Sequence, residues 1–172
     1  MEIRIDDLSG GEVIKLLQEH LADMYATSPP ESVHALDIEA LKSTEITFFS
    51  GWKGGALMGC VAIKELDSSH VELKSMRTST NARNLGVATK LLEHVFSVAG
   101  NNGYQRISLE TGSQDFFKAA RNLYEKFGFT YCEPFGEYAL DPHSQFMTRA
   151  LKPPAGDVKH QLETSNRSNK HD

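Results

Sequence analysis

Residues 71–92 switch hydrophobic period midway, and few chains can fold without obeying such a switch. Val71 and Leu73 are apolar at alternate positions, as on a strand. Val87, Ala88, Leu91, Leu92, Val95, Phe96 and Ala99 then recur with helical period. Between them lie the polar run Arg77–Asn81 and the segment Arg83-Asn-Leu-Gly86-Val-Ala88. A helix must therefore begin just past a strand end, through a glycine-bearing loop. The first N–H groups of a helix have no partner within it, and the helix dipole puts positive charge there. Gly86 and Ala88 leave that backbone open to close approach by a phosphate. The bare reading is an anion site for a phosphate-bearing cofactor.

The flanking segments supply the rest of a sheet. Met1–Ile5 alternates like a first strand, and Ser9 with Glu12 makes a capping box for a helix over Val13–Met24. Pro29-Pro30 stops that helix, and Asp37 caps a short second one through Leu41. Glu45–Trp52, Ala56–Leu66 and the strand from Val71 are separated by turns at Lys53-Gly-Gly and Asp67-Ser-Ser, which predicts an antiparallel meander. The helix from Gly86 runs to about Gly100. Tyr104–Thr111 follows as a strand, and a crossover of this length implies parallel pairing with the Val71 strand. A helix from near Ser113 or Asp115 to Gly128, a strand Phe129–Cys132 and a last strand Gln145–Leu151 complete the order.

With 172 residues the chain suits one domain with a real core. Its net charge of −5 argues against nucleic acid or an anionic membrane as partner. No apolar run approaches the roughly 20 residues needed to span a bilayer, and the N-terminus shows no charged region followed by an apolar stretch, so the expected location is cytoplasmic. Cys60 and Cys132 lie in apolar strand-like segments and read as reduced core thiols. From Lys152 the chain turns polar, and 152–172 reads as a disordered tail behind a domain over 1–151.

Two segments resemble the GCN5-related N-acetyltransferase (GNAT) superfamily. Arg83-Asn-Leu-Gly86-Val-Ala88 is similar to its Arg/Gln-x-x-Gly-x-Gly/Ala loop, and Ala120-Arg-Asn-Leu-Tyr124-Glu-Lys-Phe-Gly128-Phe129 to its Ala-x-x-x-Tyr-x-x-x-Gly-Phe segment. Ser28–Leu36 and Ser108–Gly112 also resemble a small bacterial subgroup. The resemblance implies an α/β fold: a mixed, mostly antiparallel sheet of six to seven strands flanked by about four helices, with the parallel strands near 71–78 and 104–111 splayed. It implies acetyl-CoA as donor and no metal. The amides of Asn84 or Leu85 through Gly86, Val87, Ala88 and Thr89, with Arg83 beside them, would hold the pyrophosphate. Met76, Arg77 and Thr78 would pair with the pantetheine arm, with the Met76 N–H at the thioester carbonyl. Tyr124 would act as general acid for the departing thiolate, with Ala120 beside it. Phe117 stands where the family often carries an asparagine that touches the arm.

Transfer to an amine also needs a proton acceptor. Glu72 is the first candidate, with a salt bridge to Lys74 or Arg106 as its plain alternative. Glu110, near a strand's carboxyl end, is the second, as base or amine-binding carboxylate. Tyr25, Glu31 and His34 border the proline loop and are candidate acceptor contacts. The expected function is N-acetylation of a primary amine, small molecule before protein, by direct attack on the thioester. The alternative is an acyl-CoA-binding module with little turnover. A homodimer stays open. A nucleotide enzyme is disfavoured, because neither Gly-x-x-x-x-Gly-Lys-Ser/Thr nor Gly-x-Gly-x-x-Gly is present.

Overall fold

Alternating burial along the strands divides the side chains between two helix layers. In a computed structural model, which describes residues 1–152, β1 (Glu2–Ile5), β2 (Ile46–Lys53), β3 (Ala56–Asp67), β4 (His70–Thr78), β5 (Arg106–Gly112), β6 (Thr130–Tyr131) and β7 (Ser144–Ala150) form one seven-stranded sheet. Its order is β1-β2-β3-β4-β5-β7-β6. Only β4 and β5 pair in parallel; the other neighbours are antiparallel. The helices are α1 (Gly11–Thr27), α2 (Ile38–Leu41), α3 (Val87–Asn101) and α4 (Lys118–Lys126).

Phe48 and Phe49 illustrate the division. Phe49 joins Val61, Leu73, Leu91, Val95, Leu109 and Met147 under α3 and α4. Phe48 joins Leu16, Leu17, Leu41, Cys60 and Ala62 under α1 and α2. Strand period two thus feeds two apolar layers, and each large buried side chain contributes roughly 1.5–3 kcal/mol of transfer free energy. Burial pushes the Cys60 thiol up to about 12, so it packs as a protonated apolar group. Cys132 is half-buried and also free.

The structure corrects several local expectations. Ser9 does not cap α1: its hydroxyl donates to Asp7 Oδ1 at 2.6 Å, and Gly10 stands at the cap with no side-chain bond. Asp37 does cap α2, accepting from the Ala40 N–H at 2.8 Å. The helix expected from Ser113 or Asp115 starts as a 3₁₀ turn, Asp115–Phe117, and turns α-helical only at Lys118. The Phe129–Cys132 strand shrinks to two residues, although the Cys132 N–H still donates to Phe146 O at 2.9 Å before Pro134 ends the run. The expected tail lies, beyond Lys152, outside the described residues. No described helix is long and apolar enough to cross a membrane.

Candidate active site

The parallel pairing of β4 with β5 is short. It runs from His70–Arg106 to Leu73–Leu109 and stops. Two devices end it. On β4 the register against β3 slips between Ala62–Lys74 and Cys60–Arg77, a bulge that includes Ser75 in the left-handed region (φ 54°). A serine held there is strained, a feature that gathers at functional sites. On β5, pairing to β7 continues through Gly112–Ser144, so that strand leaves with the other half of the sheet. The strands splay into a cleft of about 590 Å³.

One end of the cleft is backbone. Gly86 precedes α3 in the left-handed region (φ 76°), and Asn84 shares it (φ 64°). The first intrahelical bond runs from the Lys90 N–H to Gly86 O at 3.2 Å. The Val87, Ala88 and Thr89 amides precede that bond and have no partner in the helix. Arg83 lines this end, whereas Leu85 turns its side chain out, 64% exposed. This end suits the diphosphate of an acyl-CoA.

The middle is apolar. Met76 and Thr78 line the unpaired edge of β4, opposite Phe117, Ala120 and Tyr124. Gly112 is required here, because a Cβ would lie 2.1 Å from the Phe117 ring. Tyr124 is buried and meets Phe129 edge-on at 5.6 Å. Burial, then the Glu110 charge, pushes its phenol above the ordinary tyrosine range, so it keeps its proton. Arg77 lines the cleft, but its guanidinium is bound to Asp23 of α1 at 2.8 Å.

The far end is assembled from side chains. Glu72 is buried on β4, and its Oε2 accepts from Lys74 Nζ at 3.1 Å and from the Tyr138 hydroxyl at 2.5 Å. Lys74 Nζ also donates to Tyr138 Oη at 2.9 Å and His34 O at 3.4 Å. Burial and the Glu72 charge hold the Tyr138 phenol protonated. Glu110 is the first β5 residue past the last β4 pair. Burial raises its pKa, offset in part by the Ser144 hydroxyl, which donates at 2.8 Å. A carboxyl with raised pKa is a stronger proton acceptor once ionised.

His34 joins this end of the cleft, packed edge-on to Tyr138 at 5.0 Å. Tyr25, 57% exposed, and Glu31 are not among the cleft-lining residues. The sequence reading missed Tyr138, Ser32 and His143. Lys74 it named only as the partner in a plain salt bridge, and that bridge exists. The Glu72–Lys74 spacing places both on one strand face; nothing in the sequence points to Tyr138.

A phosphate-ready helix start beside a splayed parallel pair, with an apolar channel between them, defines an acyl-CoA transferase cleft. Residues 13–129 match the model of the Acetyltransferase (GNAT) family. The chain is 55% identical over 151 residues to YsnE of Bacillus subtilis, described as an uncharacterized N-acetyltransferase, covering 88% of this chain and 100% of that one. Among solved structures, an acetyltransferase from Streptococcus agalactiae superposes with a TM-score of 0.68 at 19% identity, covering 87% of this chain and 98% of that one. A GNAT family acetyltransferase from Elizabethkingia anophelis with acetyl-CoA bound superposes at 0.62 and 19% identity, covering 87% and 97%. This chain belongs to the GNAT family and is an acyltransferase of that family. The expected mixed, splayed sheet with four α-helices is the observed fold among the described residues.

Proposed function

We propose that this protein transfers the acetyl group of acetyl-CoA to a primary amine by direct attack of the amine nitrogen on the thioester. The observation that carries the reading is the splay beyond Leu73–Leu109, with unpaired amides at one end, Glu110 at the other and Tyr124 between.

Acetyl-CoA is the donor substrate and supplies the activated carbonyl. The amides of residues 84–89 hold its diphosphate, with Arg83 as the adjacent cation, and Met76–Thr78 flank its pantetheine arm. Glu110 accepts a proton from the incoming ammonium, leaving a neutral nitrogen. The nitrogen bonds to the carbonyl carbon, and the developing oxyanion is met by the Met76 N–H. The carbon–sulfur bond breaks, and Tyr124 gives its proton to the departing thiolate. The proton leaving the new amide nitrogen restores Tyr124, and Glu110 releases its own to solvent. Glu72 takes the structural role, because Lys74 and Tyr138 already occupy its Oε2.

The test is titration with acetyl-CoA, followed by thiol release over a panel of amines. Tyr124→Phe keeps the ring packing and removes the proton donor, so kcat should fall by roughly 10–1000-fold, within and somewhat below the usual general-acid range, while acetyl-CoA affinity holds. Tight binding with no release on any amine would replace the enzyme reading with a binding module.

A further inference from the structure

The bulge in β4 decides which way Arg77 faces. Cys60 and Ala62 of β3 pack in the layer under α1 and α2. Their partners on β4 are Arg77 and Lys74, so two steps of β3 are matched by three of β4. The extra residue is taken up in the bulge that holds Ser75 at φ 54°. Without it, position 77 would fall on the face of Leu73, which packs under α3 and α4. Glu110 follows Leu109 of that same layer, so it shares the opposite face with Lys74 and Arg77. Tyr124, the proposed acid for the thiolate, belongs to the α3–α4 layer. The amine therefore approaches from the α1 face, where Glu110 and Arg77 both line the cleft.

Arg77 arrives there with donors to spare. Its side chain is 10% exposed, and Nη1 donates to Asp23 Oδ2 at 2.8 Å. That is its one side-chain hydrogen bond among the described residues, and Nε is buried with no partner. A guanidinium carries five N–H groups in a planar fork that matches the oxygens of a carboxylate or phosphate. Buried donors left unmet are costly, so an anion that reaches the fork from the cleft is favoured. Asp23 does not cancel the charge. It is 39% exposed, so water screens it more than it screens Arg77. At His20, which also lines the cleft, burial and then the Arg77 charge push the pKa down to about 4, and the opposing effect of Asp23 is the smaller one. Glu110 lies one step past the Leu73–Leu109 pair, level with Lys74. Three residues of strand, roughly 10 Å, then separate its level from that of Arg77. A negative and a positive side chain thus share one face of the cleft, within the span of a small molecule.

We propose that the acceptor is a small primary amine that carries its own anionic group, a carboxylate or a phosphate, with Glu110 receiving the ammonium and the Arg77 fork receiving the anion. This rests on the amine-acetylation reading and deepens it. It also gives the strained bulge a purpose, which is to turn Arg77 onto the acceptor face. Asp23 steadies the fork through Nη1 and leaves the other nitrogens to the ligand.

The experiment uses the full chain, saturating acetyl-CoA, and matched acceptors that differ by one anionic group. The carboxylate pairs are tyrosine against tyramine, arginine against agmatine, and 4-aminobutanoate against propylamine; the phosphate pair is phosphoethanolamine against ethanolamine. Thiol release should give a kcat/KM at least about tenfold higher for the best acid-bearing acceptor than for its partner, and the pair that shows it says which anion the fork takes. Arg77→Gln removes the fork and its charge, and should bring that ratio to about one. Asp23→Asn keeps an acceptor for Nη1 and lifts the competing charge. It should widen the ratio a few-fold by lowering KM for the acid-bearing acceptor, a gain that mere damage to the fold would not produce. Equal or better use of the plain amine in every pair overturns this inference and leaves amine acetylation standing. A preference that survives in Arg77→Gln, with or without weaker acetyl-CoA binding, overturns the role given to Arg77. Thiol release with none of these acceptors, despite acetyl-CoA binding, overturns the amine-acetylation reading and this inference with it.

Discussion

The two ends of the cleft are built in opposite ways. The end proposed for the diphosphate is a single run, Arg83–Thr89, with backbone amides exposed by a helix start. The end proposed for the acceptor is assembled from side chains brought together from residues 28–34, 72–74, 110 and 138–144, partners up to 109 positions apart. A backbone site tolerates most side-chain changes and fails when the backbone is strained or its charge opposed. A side-chain site fails one hydroxyl or carboxylate at a time. The difference explains how one fold keeps a donor and changes its acceptor.

The sharpest way to break the comparison is at Glu110. Glu110→Gln keeps shape and the Ser144 contact but removes the proton acceptor; kcat/KM should fall by roughly 10²–10⁴-fold with acetyl-CoA affinity unchanged. The pH profile carries the sign. Burial raises the Glu110 pKa, so activity in the native enzyme falls as pH drops through a value above the ordinary carboxylate range, and Glu110→Gln lacks that limb. Stability runs the other way. A raised folded pKa means ionisation opposes folding at neutral pH, so Glu110→Gln should melt higher than the native chain above that pKa.

At the other end, Gly86→Glu should weaken acetyl-CoA binding on the order of 100-fold by titration calorimetry. A Cβ at Gly86 meets nothing within 4 Å, so the loss comes from the added negative charge and the left-handed φ of 76°. Gly86→Asn separates the two causes, since asparagine tolerates that conformation and adds no charge; it should retain affinity within a few-fold. The smallest effect belongs to the 2.6 Å hydrogen bond from Ser32 to Asp141, which ties the segment after α1 to the segment before β7. Ser32→Ala removes one hydrogen bond to Asp141, worth about 1 kcal/mol. It should lower KM for bulky amines by about fivefold and leave kcat for the smallest nearly unchanged. Equal KM changes for every amine would show that this bond does not narrow the acceptor end.

The same contrast governs what could be read from the sequence. The change of hydrophobic period at Val71–Leu92 and the Gly86 loop are local, so the helix start was legible, as were the meander and the parallel pairing across α3. Tyr124, which lines the cleft, could be singled out only through the resemblance of Ala120–Phe129 to a family segment; its own helical stripe reads as core packing. The α1 cap was misassigned because Asp7 competes for the Ser9 hydroxyl, a choice between neighbours that spacing does not decide. Tyr138 lies in a loop between Pro134 and Pro142 with no periodic signal, and its place beside Glu72 depends on how that loop folds back, 66 positions away. Tyr25 and Glu31 sit in the right segment, but Tyr25 is 57% exposed and Ser32 is the buried member of the loop. A segment's neighbourhood can be read from order, whereas the side chain it turns inward depends on packing.

The strand that opens between Leu73–Leu109 and the Gly86 loop carries the proposed reaction, and a crystal structure of the CoA complex tests this most directly. The diphosphate should lie on the amides of residues 84–89, the pantetheine arm along Met76–Thr78, and the sulfur within hydrogen-bond reach of the Tyr124 hydroxyl with Glu110 facing it from the acceptor side. CoA bound outside the splay, or a sulfur with Tyr124 walled off from it, would contradict acyl transfer in the splayed cleft.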